Sequence, residues 1–208
     1  MTGTSLALQS VAPPTDVNTN PFPMPRGTLG MWTFLIGDAA TFATLLVACR
    51  LLHARSHDWP VPAEVLNLRD AGIMTGLLLA SSVAMAFSLT ALRQGNQLRF
   101  AASLLLTIVG GSVFLLLQAR EWSHLISQGL TLTQNPWGAR LFGASFFVLT
   151  GFHGCHVIAG IVYLTVILVK GLKGRYHPQY INPVAIAGLY WYFVDVSWLF
   201  VLLIVYLR

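Results

Sequence analysis

Five long apolar runs leave this chain few ways to fold. They extend from Thr28 to Cys49, Ala71 to Leu92, Phe100 to Ala119, Leu141 to Val169 and Val184 to Leu207, and each holds at most one Asp, Glu, Lys or Arg. About 20 apolar residues in a helix suffice to cross a hydrocarbon core. Lipid offers no hydrogen bonds to the backbone, so a run of this kind must close its own N–H and C=O groups as a helix. All 10 prolines fall outside the runs, where a residue without a backbone N–H does no harm. The expected fold is therefore all-α: an integral membrane bundle of five transmembrane helices over about 28–49, 71–92, 100–119, 141–169 and 184–207. The fourth run exceeds one crossing, so tilt or extension beyond the membrane surface is expected for it.

Composition agrees with that class. Charged residues make up 9% of the chain, against roughly 25% in a soluble domain. The formal net charge of +5 is scattered singly between apolar runs, which speaks against a nucleic-acid partner, since that would need a clustered basic face. Cys49 and Cys155 lie inside apolar runs and read as small buried hydrophobes. Residues 1–27 are polar and hold 5 of the prolines, with no basic start followed by an apolar stretch and a cleavage site. They are expected as a disordered tail and not a signal peptide, ahead of a single five-helix domain over 28–208.

Five crossings put the termini on opposite faces. Lys and Arg are equal in number on the two sides, but the short links Arg93 to Arg99 and Lys170 to Arg175 hold theirs beside helix ends. That density places the N-terminus in the cytoplasm and the C-terminus outside.

Polar groups at membrane depth carry whatever chemistry the chain has. A carboxyl there costs ~2.5 to 3.5 kcal/mol on insertion scales unless it is neutralised, paired or turned toward protein. Asp38 lies near the middle of the first run and reads either as a protonatable, lipid-facing group or as an acid bonded to a neighbouring helix. His153 and His156 stand at i and i+3, so both imidazoles are expected to point into one interhelical space. Two histidines do not complete a metal or haem site, and the bonded structural role is preferred, with no metal assigned. In the last run Trp191, Asp195 and Trp198 fall at i, i+4 and i+7 on one stripe. Asp195 is expected as a buried latch satisfied by an indole N–H or by a histidine of the fourth run. Glu121 follows Arg120 where the third run ends and reads as a solvated or paired interfacial charge.

Two longer segments carry a resemblance to a known family. Thr150-Gly151-Phe152-His153-Gly154-Cys155-His156-Val157-Ile158-Ala159-Gly160 and Tyr190-Trp191-Tyr192-Phe193-Val194-Asp195-Val196-Ser197-Trp198-Leu199-Phe200 resemble signatures of subunit III of the haem-copper respiratory oxidases, most closely the cytochrome c oxidase type. Leu117-Gln118-Ala119-Arg120-Glu121-Trp122 resembles a third segment of that family. The stretch from Gly30 to Phe42 resembles the helix bearing its carbodiimide-reactive carboxyl, which places that carboxyl at Asp38. The chain departs from the pattern in having Asp38 for the usual Glu and Tyr192 for the usual His. The polar tail also gives no place to the two further N-terminal helices of longer members. Quinol oxidase subunit III and the accessory subunit of bacterial nitric oxide reductases are similar as well.

The resemblance implies a non-redox subunit in the plasma membrane of a bacterium. Its partners would be the catalytic oxidase subunit I and subunit II, and haem and copper would reside in those partners, with no redox cofactor bound by this chain. Support of oxidase stability, proton uptake and O2 access would be its work, together with structural phospholipid. Asp38 would be a proton-uptake or lipid-facing carboxyl. Lys170, Lys173 and Arg175 sit where anionic lipid headgroups would be met. The residues also leave open two readings outside this family: an independent transporter using Asp38, His153, His156 and Asp195, and a haem-binding anchor.

Overall fold

A computed structural model describes residues 25–173 and 181–207. Residues 1–24 and Arg175 lie outside the described residues, so the reading of the tail and the third basic residue of the headgroup cluster have no structural counterpart. Every regular element among the described residues is helical: α1 (Arg26–Arg55), α2 (Pro62–Val65), α3 (Leu68–Arg93), α4 (Gln97–Ser127), α5 (Arg140–Leu172) and α6 (Ile181–Val201), the last continuing as a π-helical turn over Leu202–Tyr206. Five of them, counting α6 with its π turn as one, are long and apolar enough to cross a membrane. The bundle expected from the apolar runs is present.

The helices outrun the apolar runs at their ends. α1 begins at Arg26, inside the expected tail, and ends at Arg55, while α4 reaches Ser127. An apolar run stops at its first charge, but the backbone has no reason to unwind there: long basic side chains reach water from the last helical turns. α2 is a single turn with Pro62 in its first position, where a missing N–H costs nothing.

Local signals set the links. Gly95 takes a φ of 71°, and its N–H bonds to Leu92 O while Asn96 N–H bonds to Ala91 O, closing α3 in a Schellman turn. Asn96 then caps α4 by accepting from Arg99 N–H at 3.0 Å. Asn67 caps α3 by accepting from the Arg69 and Asp70 amides. So tight a turn returns α4 along the whole of α3.

α6 is the hub, packing on α1, α3 and α5, whereas α1 lies at the edge against α6 and α5. Trp191, Val194 and Trp198 of α6 are 0% exposed. The outer surface is the reverse of a soluble protein's: Ile36, Leu106, Leu116 and Val162 are each more than half exposed, as suits side chains that face acyl chains.

Candidate functional site

The polar groups at membrane depth form three bonded clusters. The first fastens α6 to α3. Trp191 Nε1 donates to Ser81 Oγ at 3.0 Å, and Trp198 Nε1 donates to Thr75 Oγ1 at 2.9 Å. Between them the Ser82 hydroxyl donates to Asp195 Oδ2. The stripe expected on the last run is therefore real, and its three members meet three hydroxyls on one neighbouring helix. The expected partner of Asp195 is corrected: a serine of α3 holds it, because the indoles on either side point their N–H groups at other hydroxyls. Polar residues inside a span mark helix contacts, so Ser81-Ser82 in the middle of the second run was the signal for this partner. A methyl group built on Gly111 or Gly160 would lie 2.5 or 2.9 Å from the Trp191 ring. Only glycine at these positions lets α4 and α5 close on the indole.

The second cluster joins α1 to α5. His156 Nε2 lies 3.0 Å from Asp38 Oδ2 and 3.2 Å from Oδ1, while Nδ1 lies 2.8 Å from Phe152 O. A carbonyl only accepts, so Nδ1 carries a proton. A hydrogen bond between Nε2 and the carboxyl then needs one further proton, carried by one partner or the other. Asp38 is 10% exposed at its side chain. This corrects the lipid-facing alternative: the acid is turned inward onto an imidazole. Tyr190 Oη donates to His156 O at 3.0 Å, tying α6 to the same turn.

His153 borders the same Phe42 ring of α1 as His156, at 6.5 Å against 5.2 Å. It is 0% exposed, and its ring lies 5.5 Å from Phe114 and 5.2 Å from Trp198, between α4 and α6. Neither ring nitrogen has a hydrogen-bond partner among the described residues. The expected bond across helices is therefore not seen for His153 among the described residues. At i and i+3 the two are about 60° apart around α5, and α1 stands on one side while α4 and α6 fill the other.

The third cluster lies near the end of α4. Tyr206 Oη donates to Glu121 Oε2 at 2.7 Å, and Glu121 is 7% exposed. Glu121 is thus buried and bonded, and the solvated alternative is corrected: α4 continues past the apolar run, and the π turn of α6 covers the carboxyl with a phenol. One turn deeper, Gln118 Nε2 donates to Thr150 O at 2.6 Å, and Trp122 Nε1 donates to Thr150 Oγ1 at 3.1 Å, fastening α4 to α5. A crevice of about 570 Å3 opens beside Glu121, lined also by Glu64, Asp70, Arg120 and His124.

At the opposite end of the bundle Lys170 and Lys173 are exposed. They border an apolar groove of about 330 Å3 with Thr165, Val166 and Val169. Two ammonium groups over an apolar trough fit the headgroup and acyl chain of an anionic lipid. Among the described residues no three His, Cys, Asp or Glu side chains are grouped closely enough to hold a metal ion. The clusters bind helices to one another.

Comparison with known proteins fits this arrangement. A sequence model of the family described as cytochrome c oxidase subunit III matches residues 26–208, which takes in every helix above. A quinol oxidase subunit 3 of Bacillus subtilis is 33% identical over 179 residues, covering 86% of this chain and 85% of the relative. A cytochrome c oxidase subunit 3 of Corynebacterium diphtheriae is 34% identical over 182 residues, 86% of each. Another cytochrome c oxidase subunit 3, from Alkalihalophilus pseudofirmus, is 32% identical over 179 residues, covering 86% of this chain and 85% of the relative.

Proposed function

Since the chain belongs to the cytochrome c oxidase subunit III family, we propose that it serves as the non-redox third subunit of a proton-pumping terminal oxidase in a bacterial plasma membrane. The observation that carries this reading is the extent of the family match, residues 26–208, over a bundle whose buried polar groups bind helices to each other. Haem and copper then belong to subunits I and II, and electrons do not pass through this chain. Its own work is to stabilise the catalytic subunit, to hold phospholipid at Lys170 and Lys173, and to support proton uptake and the approach of O2 through lipid.

Topology follows the charge asymmetry, with the Lys170 end of α5 in the cytoplasm and the crevice at Glu121 outside. We read the complex as one that takes electrons from cytochrome c. The Bacillus subtilis relative, named for a quinol oxidase, supports a second reading in which quinol is the donor.

Purification through a tag on this chain in mild detergent tests both levels. Recovery of a haem protein with a reduced-minus-oxidised spectrum supports the oxidase assembly. O2 uptake with reduced cytochrome c, or with quinol, then assigns the donor. A chain that purifies alone and moves solute in liposomes would overturn the reading in favour of an independent transporter.

A further inference from the structure

Between α4 and α5 the surface that faces acyl chains is not a smooth cylinder. A groove of about 440 Å3 runs there, walled by Trp122 of α4 and Ile158 of α5. The short side chains of Ala119 and Cys155, both exposed, keep it open. Apart from Gln118 its lining is apolar.

Two glycines of α5 bring the Gln118 amide to this place. A methyl group built on Gly154 would lie 3.4 Å from Gln118 Nε2, and one built on Gly151 would lie 3.1 Å from the Trp122 ring. Bare backbone at these positions lets the two helices close beneath the groove. Gln118 is 5% exposed, and its Nε2 is committed to Thr150 O at 2.6 Å. Its Oε1 is buried and has no hydrogen-bond partner among the described residues. The indole in the groove does not supply one, since Trp122 Nε1 already donates to Thr150 Oγ1.

Depth decides what can bring the missing donor. α4 spans Gln97–Ser127, which places Gln118 about 9 Å from the helix midpoint, well inside a hydrocarbon core about 30 Å thick. Phospholipids carry their donors in the headgroups and present only acyl chain at this level, so lipid in the groove leaves Oε1 unsatisfied. Buried polar atoms almost always find partners. A hydroxyl, amide or indole on another helix reaches this depth while that helix satisfies its own backbone, and interhelical bonds of this kind fasten helices in membranes. Small residues along the contact, here Ala119 and Cys155, allow the close approach.

We propose that the α4–α5 groove docks a transmembrane helix of a neighbouring oxidase subunit, which seats a hydrogen-bond-donating side chain on Gln118 Oε1. The inference rests on the reading of the chain as an oxidase subunit and adds to it a face by which the chain is held.

The test uses the complex purified through this chain, with a photoreactive benzophenone side chain at Ile158, which is 52% exposed on the wall of the groove. Illumination is expected to join Ile158 to a peptide of a neighbouring subunit. A cross-link to lipid alone, or to a second copy of this chain alone, overturns the proposal. Cys155→Phe and Ala119→Phe fill the groove from exposed positions, and each should lower recovery of the cross-linked subunit per chain at least fivefold. Cys155→Ala, which leaves the groove open, should not change it. Unchanged recovery in both phenylalanine variants overturns the proposal. Should those chains fail to accumulate in the membrane, the cross-link decides alone. A high-resolution map of the complex should place a donor atom of the docked helix within hydrogen-bond distance of Gln118 Oε1, and an acyl chain in its place overturns the assignment. If no haem protein accompanies the unaltered chain, the subunit reading has itself failed. A haem-bearing complex whose groove holds only lipid defeats this inference and leaves that reading standing.

Discussion

Trp191 of α6 donates its indole N–H to Ser81 of α3, 110 residues away, while its ring lies over Gly111 of α4 and Gly160 of α5. One side chain thus sets the distances among four helices. In a membrane, lipid is as apolar as a protein core, so helix association depends on such packing and on interhelical hydrogen bonds. Trp191→Phe, which removes the bond and leaves a void, is expected to cost about 1 to 3 kcal/mol. Gly160→Val, which drives a branched side chain into the indole, should cost at least as much. The double variant should recover part of the loss, since a smaller ring makes room. Thermal unfolding of the purified complex checks this, and strictly additive losses would show that the two positions do not share a contact.

The Ser82–Asp195 bond predicts an asymmetry. When Asp195→Ala removes the acceptor, the Ser82 hydroxyl can turn to a carbonyl of its own helix, as Ser81 already does to Leu78 O at 2.6 Å. When Ser82→Ala removes the donor, Asp195 is left at membrane depth with neither oxygen bonded, at about 1 to 3 kcal/mol or more. Ser82→Ala should therefore lower the amount of chain recovered with its complex more than Asp195→Ala does. The reverse order on co-purification would mean that Asp195 has a further partner.

How much of this was open to sequence reading depends on how local the signal is. The five helices follow from apolar runs and excluded prolines, both properties of single segments. Trp191, Asp195 and Trp198 share a stripe by spacing alone. Their partners Thr75, Ser81 and Ser82 are 113 to 123 residues away for two of the three bonds, and a serine in an apolar helix looks the same whether it bonds a neighbour or its own backbone. Glu121 is the same case: its charge and position suggest a solvated or paired group, and the residue that buries it, Tyr206, is 85 residues away on a π turn that no pattern in the sequence announces.

Tyr206 and Glu121 form a bond that can be tested singly. Tyr206→Phe keeps the ring and removes the donor, leaving Glu121 Oε2 beside the crevice where water can replace the phenol. The cost should be modest, about 1 kcal/mol, and absent when Glu121→Ala has already removed the acceptor. A double-mutant cycle on the thermal transition measures the coupling, and a coupling near zero would mean the phenol acts by packing alone.

Lys170 and Lys173 stand exposed over an apolar groove at the end of α5. Each cation near a membrane surface contributes about 1 kcal/mol of attraction to anionic lipid, roughly fivefold in affinity. Lys170→Gln with Lys173→Gln should deplete anionic phospholipid from the purified complex and leave zwitterionic lipid unchanged. Mass spectrometry of the extracted lipid measures this; equal loss of both classes would assign the groove to acyl chains without headgroup preference.

Asp38 separates packing from protonation. His156 presents Nε2 to the acid, with Nδ1 held by Phe152 O. Asp38→Asn places an amide N–H opposite a bare Nε2, so the interhelical bond survives while the shared proton is lost. Asp38→Leu removes both, stranding the imidazole at about 1 to 3 kcal/mol. Assembly should therefore be normal in Asp38→Asn and reduced in Asp38→Leu. If the proton matters to the oxidase, Asp38→Asn should also change proton uptake or shorten the active lifetime during turnover, in a complex with wild-type composition and stability. Wild-type turnover, proton stoichiometry and lifetime in Asp38→Asn would reduce the pair to a clamp between α1 and α5.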